Sequence, residues 1–291
     1  MFICYSFIGK LPEYIIDTIY QARLFFKGDI YLILDDFKSP YLQKIKDFRV
    51  NLIPYKDVIN NDFLDICKKR GDKIAVMNGL GHRRLLFLRS MERFFLLENL
   101  MKKQNLENIL FLELDNLIYQ DPNIWQENLD DVEFTFLHDN DKRISTGLMY
   151  IKNTQSINII TENLKSYVSN EQGFISEMGG NWLVKDKAYF LPTYWENEKY
   201  NKMTFQNYDK FNSIFDAASI GWYLYGSDKF HDCGRKNPWG EIDYTIHRYE
   251  WIEDEEGRRK PYIVKDNEKI LINNLHIPCK ELNPALSKPL N

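Results

Sequence analysis

Asn108-Ile-Leu-Phe-Leu-Glu-Leu-Asp-Asn-Leu-Ile-Tyr119 is the stretch on which the reading of this chain turns. Ile109 to Leu112 form an unbroken apolar run, the pattern of a strand buried on both faces of a parallel sheet. The run leads straight into Glu113 and Asp115. Side chains alternate along extended backbone, so these two carboxylates point to one side and Leu114 to the other. In an open α/β sheet, ligands bind beyond the carboxyl ends of the strands, so the pair is placed to hold a divalent cation and the phosphates it carries. A strand that ends in a solvated acidic turn is the alternative, and an E-x-D motif alone does not exclude it.

Upstream, the chain alternates strand and helix. Phe2 to Ile8 is an apolar run closed by Gly9, and Pro12 to Phe26 carries Ile15, Ile16, Ile19, Leu24 and Phe25 at helical spacing. Asp29 to Leu34 reads as a second strand ending in Asp35 and Asp36, Tyr41 to Phe48 as a short helix, and Val50 to Ile53 as a third strand. The longest helical pattern, Arg83 to Lys103, feeds the strand Ile109 to Leu112. This βαβ alternation predicts a mostly parallel sheet with Tyr5, Ser6, Gly9, Asp35, Asp36, Glu113 and Asp115 at strand ends. Downstream, Val132 to Leu137 and Gly147 to Ile151 read as strands joined by a polar loop. Ser156 to Val168 and Ser176 to Val184 read as helices, Tyr189 to Pro192 as extended, and Phe215 to Leu224 as a short helix opening with Asp216. Ile270 to Ile277 reads as one last strand.

Composition narrows the function classes. With 44% hydrophobic and 27% charged residues the chain can bury a core, and no linker or low-complexity tract divides it, so one unit over 1–291 is expected. A formal net charge of -4 argues against nucleic acid, which needs a basic field; Arg258, Arg259 and Lys260 follow an acidic run and read as a charged loop. Cys4, Cys67, Cys233 and Cys279 have no C-x-x-C spacing, which fits a reduced compartment. The amino terminus has neither a basic leader nor an apolar span, so a cytoplasmic location is expected, with no transmembrane segment.

Five pieces in this order resemble the metal-dependent glycosyltransferases with the doubly wound, Rossmann-like nucleotide-sugar-binding fold called GT-A. More closely, they resemble short glycosyltransferases of large DNA viruses and microbes. The pieces are Ile8-Gly9-Lys10-Leu11-Pro12 with the helix after it, Phe111 to Tyr119, Ser145 to Asn153, Phe215 to Gly221, and Asn274-Leu275-His276-Ile277-Pro278-Cys279-Lys280. The resemblance implies a nucleotide-binding half over 1–120 and a sugar and acceptor half over 121–291. It also implies transfer of a hexose from a nucleoside-diphosphate sugar, UDP before GDP, to a glycan, protein or lipid hydroxyl. In a viral protein this would occur in the host cytoplasm. Such enzymes usually carry D-x-D, so Glu113 departs from the pattern at its first position; its longer side chain would reach the ribose or a metal-bound water while Asp115 holds the metal.

The resemblance also makes His276 a metal ligand and Lys280 a diphosphate contact, where the residues alone allow a hydrogen-bonded rim histidine and a solvated lysine. A shell of carboxylate and imidazole suits Mn²⁺ better than Mg²⁺, which prefers oxygen ligands. Ser145, Thr146 and Gly147 precede an apolar strand that lies under the donor sugar in the family, and the glycine lets backbone approach a ligand closely. Tyr5, Ser6 and Gly9 join them as donor-binding candidates. Arg89 and Arg93 share one helix face; one of them reaches a phosphate or the base, or both form salt bridges with Glu92 or Glu98. An inverting enzyme needs a carboxylate base, for which Asp216 and Glu177 are the candidates; Asp216 also fits a helix cap. A sugar nucleotidyltransferase is the alternative, but it typically has a Gly-rich basic loop after the first strand, where Ile8 to Pro12 has one glycine and one lysine. A non-catalytic nucleotide- or glycan-binding module would keep the fold and lose the metal set.

Overall fold

The structure is a computed structural model that describes residues 1–70, 84–140, 143–171, 177–196, 199–227, 240–265 and 268–290. Its amino-terminal part runs β1 (Phe2–Phe7), α1 (Ile15–Phe25), β2 (Ile30–Leu34), α2 (Leu42–Asp47), β3 (Val50–Pro54), α3 (Asn61–Lys69), α4 (Arg84–Gln104), β4 (Ile109–Leu112) and β5 (Asn116–Ile118). The middle carries β6 (Thr135–Asn140), β7 (Arg143–Ser145), β8 (Leu148–Ile151), α5 (Thr154–Asn170), α6 (Glu177–Trp182), β9 (Tyr189–Leu191), α7 (Tyr208–Phe211) and β10 (Ser213–Ile214). The chain closes with α8 (Ser219–Tyr225), β11 (Arg248–Glu253), β12 (Arg259–Lys265), β13 (Glu268–Ile272) and β14 (Asn274–His276).

The central sheet has the order β3-β2-β1-β4-β8, parallel from β3 through β4 with β8 antiparallel at the edge. This is the expected α/β class with a mostly parallel sheet. Alternation along the strands divides the core as the pleat requires. Cys4, Ile33, Ile109, Phe111 and Met149 pack with α4 and α5 on one face, while Ile3, Tyr5, Leu32, Leu110 and Leu112 pack with α1 on the other. Helices cover both faces. From β1 the chain first builds outward through β2 and β3 and then returns to place β4 on the opposite side, so the order reverses between β1 and β4. A crevice opens at such a switch point.

Two departures from expectation concern the carboxyl-terminal third. Arg258, Arg259 and Lys260 do not form a charged loop: β11 and β12 are a hairpin whose turn is organised by Asp254, which accepts from the backbone N–H groups of Glu256 and Arg258, with Gly257 at φ +67°. The guanidinium of Arg258 sits 4.7 Å over the Phe25 ring, so the charges cover an aromatic surface.

The apolar run Ile270 to Ile277 is likewise two strands. Buried Asn273 donates its N–H to the Ile214 carbonyl while its own carbonyl accepts from Tyr119 N–H, so the chain changes partner there. It leaves β10 and pairs antiparallel with β5, setting His276 opposite Asn116. Cys4, Cys67 and Cys279 are free thiols, and Cys233 lies outside the described residues. Among the described residues, no helix is long and apolar enough to cross a membrane.

Candidate metal and nucleotide site

The acidic segment is held from both sides. Beneath it, α1 anchors the chain: Thr18 Oγ1 donates to the Leu114 carbonyl and Gln21 Nε2 donates to the Ile118 carbonyl at 2.8 Å. Above it, the β5–β14 ladder and the bond from Ile277 N–H to the Asp115 carbonyl, 2.7 Å, bring the carboxyl-terminal strand alongside. His276 Nε2 therefore lies 3.3 Å from Glu113 Oε2 and 3.3 Å from Asp115 Oδ1. Ligating atoms of Glu113, Asp115 and His276 all fall within 4.8 Å of one another. Two carboxylates and one imidazole are a donor set that fits a divalent transition cation.

Two cations offset the acids. Arg93, almost wholly buried on α4, pairs through one arm with Glu113 Oε1 and donates through the other to Thr146 Oγ1 at 2.6 Å. Lys280 pairs with Asp115 Oδ2. Burial by itself disfavours a charged Asp115, but Lys280 and His276 outweigh it and hold this carboxyl well below the usual range. Burial likewise opposes the His276 imidazolium, yet Asp115 raises its pKa to about 9, and Lys280 is raised by the same carboxylate.

Glycines let the pieces close up. A Cβ on Gly147 would stand 2.7 Å from His276 Nδ1 and 3.0 Å from Glu113 Oε2, and one on Gly221 would stand 1.9 Å from the His276 carbonyl oxygen. Neither position has room for a side chain. His276 Nδ1, facing Gly147, has no hydrogen-bond partner of its own.

Beside the acids lies a cavity of about 570 Å³, set at the β1–β4 switch point. Ser6, Phe7 and Ile8 from the end of β1 and Phe87, Arg89 and Arg93 from α4 line it, and Glu113, Asp115, His276 and Lys280 close one end. Sequence reasoning missed the apolar wall made by Phe7, Ile8 and Phe87, because single aromatic and aliphatic residues at strand and helix ends read as core. Arg89 forms the expected salt bridge with Glu92, lies 5.6 Å over the Tyr55 ring and also lines the cavity.

Not every expected residue arrives. Tyr5 is buried in the core against α1 and does not line the cavity. Gly9, at φ +126°, donates its N–H to Asp35 Oδ1 at 2.8 Å and lines a separate shallow pocket with Asp35 and Asp36. Ser145 Oγ accepts weakly from Gly147 N–H at 3.4 Å and stays within its own turn.

Asp216 is fully buried under His276. Its Oδ1 accepts from Ile220 N–H at 2.9 Å, and its Oδ2 accepts from Gly221 N–H at 2.8 Å and from His276 N–H at 3.0 Å. It does not line the cavity, and the helix it was expected to open begins at Ser219. Glu177 opens α6, but its side chain lies outside the described residues.

No family model matches the chain, and no curated protein matches it in sequence. Among solved structures it is similar to mouse xyloside xylosyltransferase 1, at 11% identity over 63% of this chain and 81% of that one, with a TM-score of 0.42. It is also similar to the glycosyltransferase GlyE of Streptococcus pneumoniae, at 16% identity over 64% and 44% with a TM-score of 0.41, and to an active-site variant of LgtC, at 11% identity over 63% and 69% with a TM-score of 0.44. Likenesses of this size carry no functional argument, which has to come from the site.

Proposed function

We propose that this chain is a metal-dependent glycosyltransferase that takes a nucleoside-diphosphate sugar, UDP-sugar before GDP-sugar, and passes its hexose to an acceptor hydroxyl. The observation that carries the reading is the grouping of Glu113, Asp115 and His276 at one end of a 570 Å³ cavity at the sheet's switch point.

In this reading Asp115 and His276 hold the cation, Mn²⁺ in preference to Mg²⁺, with Glu113 completing the set. A bound divalent cation would neutralise charge developing on the leaving diphosphate. Ser6, Phe7 and Ile8 at the end of β1 and Phe87 on α4 receive the nucleoside, and Lys280, which lines the same cavity beside Asp115, contacts the diphosphate. Arg93 fixes the 145–147 turn to the acidic segment through Thr146 and Glu113, so that Gly147 packs against His276. Asp216 has both oxygens committed to backbone N–H groups and acts here by positioning the His276 strand. Glu177 is the remaining candidate for a base.

Calorimetric titration of UDP into the protein, in MnCl₂ and then in chelator, tests the proposal. Binding in manganese that falls at least roughly tenfold in chelator is the expected result. Equal affinity in the two buffers would remove the metal from donor binding, and tighter binding of GDP or CDP would reassign the base.

A further inference from the structure

The two cations that offset the acidic pair are built in opposite ways. Arg93 is locked: its side chain is 6% exposed, its planar fork spans Glu113 and Thr146, and its guanidinium lies 5.4 Å from the Phe94 ring centre and 5.2 Å from that of Phe111. Lys280 is not. Its side chain is 41% exposed, it is a compact charge on a flexible stem, and it lies 5.9 Å over the Tyr14 ring. It also stands at φ +66°, a left-handed conformation uncommon for a non-glycine residue, in a turn closed by the Lys280 N–H to Ile277 carbonyl bond at 3.0 Å. From this turn the ammonium reaches Asp115.

Lys280 takes Asp115 Oδ2, on the same carboxylate whose Oδ1 faces His276. A cation sharing that carboxylate must work against a resident positive charge, whereas a diphosphate arriving with the cation offers the ammonium a more negative partner. We propose that Lys280 is an exchangeable counter-ion of Asp115, competing with a divalent metal for the carboxylate and released to the incoming diphosphate. Metal and nucleoside diphosphate then bind cooperatively, and neither binds tightly alone. The inference rests on the metal and nucleotide reading of the site, and adds that its two ligands are coupled through one lysine.

Three titrations of the wild-type protein and of Lys280→Met test it: MnCl₂ alone, UDP in chelator, and UDP in saturating Mn²⁺. Thermal melts check that the variant folds, and Lys280→Gln gives the same test with a polar stem. Removing a resident counter-ion should have opposite effects on the two ligands. Mn²⁺ alone should bind roughly tenfold tighter to the variants, UDP in chelator should bind more weakly, and the coupling between Mn²⁺ and UDP, roughly tenfold or more in wild type, should shrink. Mn²⁺ binding equally well to wild type and variants, or better to wild type, would leave the metal site standing and overturn the exchange. Failure of both wild type and variants to bind Mn²⁺ would overturn the metal reading and the exchange with it.

Discussion

Asp115 and Asp216 are both buried carboxylates that touch His276, yet they titrate in opposite directions. Asp115 meets the imidazole edge and the Lys280 ammonium, and these charges hold its pKa down despite burial. Burial pushes the pKa of Asp216 up, and the N–H groups of Gly221, Ile220 and His276, together with the more distant His276 charge, offset this only in part. At Asp216 burial outweighs three backbone N–H bonds, whereas at Asp115 the charges of Lys280 and His276 outweigh burial. The first arrangement stores charge where a ligand can use it. The second stiffens a strand.

The largest test of that division is Asp115→Asn. Removing one of the two carboxylates of the proposed cation set should lower Mn²⁺ affinity by roughly a hundredfold or more, as read by calorimetry, because even an outer-shell partner is worth up to that amount. The variant should also unfold at lower urea, because Lys280 and His276 lose their charged partner. Wild-type Mn²⁺ affinity in this variant would move the metal away from Asp115.

Gly221→Ala strikes the shelf below. A Cβ there would meet the His276 carbonyl oxygen at 1.9 Å, and because that atom is backbone, α8 must back away from β14. Overpacking of this kind costs about 2 kcal/mol, measurable as a lowered urea midpoint, with Mn²⁺ affinity falling alongside as His276 shifts. Asp216→Asn is the milder version. One oxygen becomes an NH₂ group facing backbone donors, which should cost about 1 kcal/mol in urea unfolding. Loss of sugar transfer by roughly a hundredfold with stability unchanged would instead restore Asp216 as a base and break the comparison.

Much of this was legible in the residues. The parallel sheet followed from the alternation of strands and helices; the two acids do converge, but through a turn closed by the Asn116 N–H to Glu113 carbonyl bond between β4 and β5 rather than through the extended backbone expected there. What could not be read was which groups would consume the others' charges. Arg93 and Glu113 are separated by a helix and a strand, and only the packing of α4 on β4 sets them in contact. Asn273 was read through as well: the Asn273-Asn274 pair interrupts the apolar residues from Ile270 to Ile277, but does not say which strand the chain pairs with on either side. Asp216 was placed near the site by its neighbours in sequence, but its orientation depends on Ala218 at φ +83° and on how closely Gly221 lets α8 approach.

Asp139 offers the finest test, since it lies between the two cases. It ends the buried run of β6, pairs through Oδ2 with Arg143, and leaves Oδ1 buried without a partner. Burial pushes its pKa up to about 6; Arg143 opposes this, Asp216 adds to it, and His276 opposes it. A carboxyl whose pKa is raised on folding keeps a proton that the unfolded chain has already released, so its contribution to stability is complete below the ordinary value of 3.8 and is lost as the pH rises through about 6. For Asp115, with its pKa lowered, the contribution is lost as the pH falls. Urea unfolding of wild type and Asp139→Asn at about pH 4.5 and about pH 7, without added metal, separates the cases. The substitution should be relatively more favourable at the higher pH, by on the order of 1 kcal/mol, because the neutral amide no longer has to be ionised in place. A stability difference that does not change between the two pH values would mean that Arg143 balances the burial of Asp139 completely, placing it with Asp115 among the charge-compensated acids.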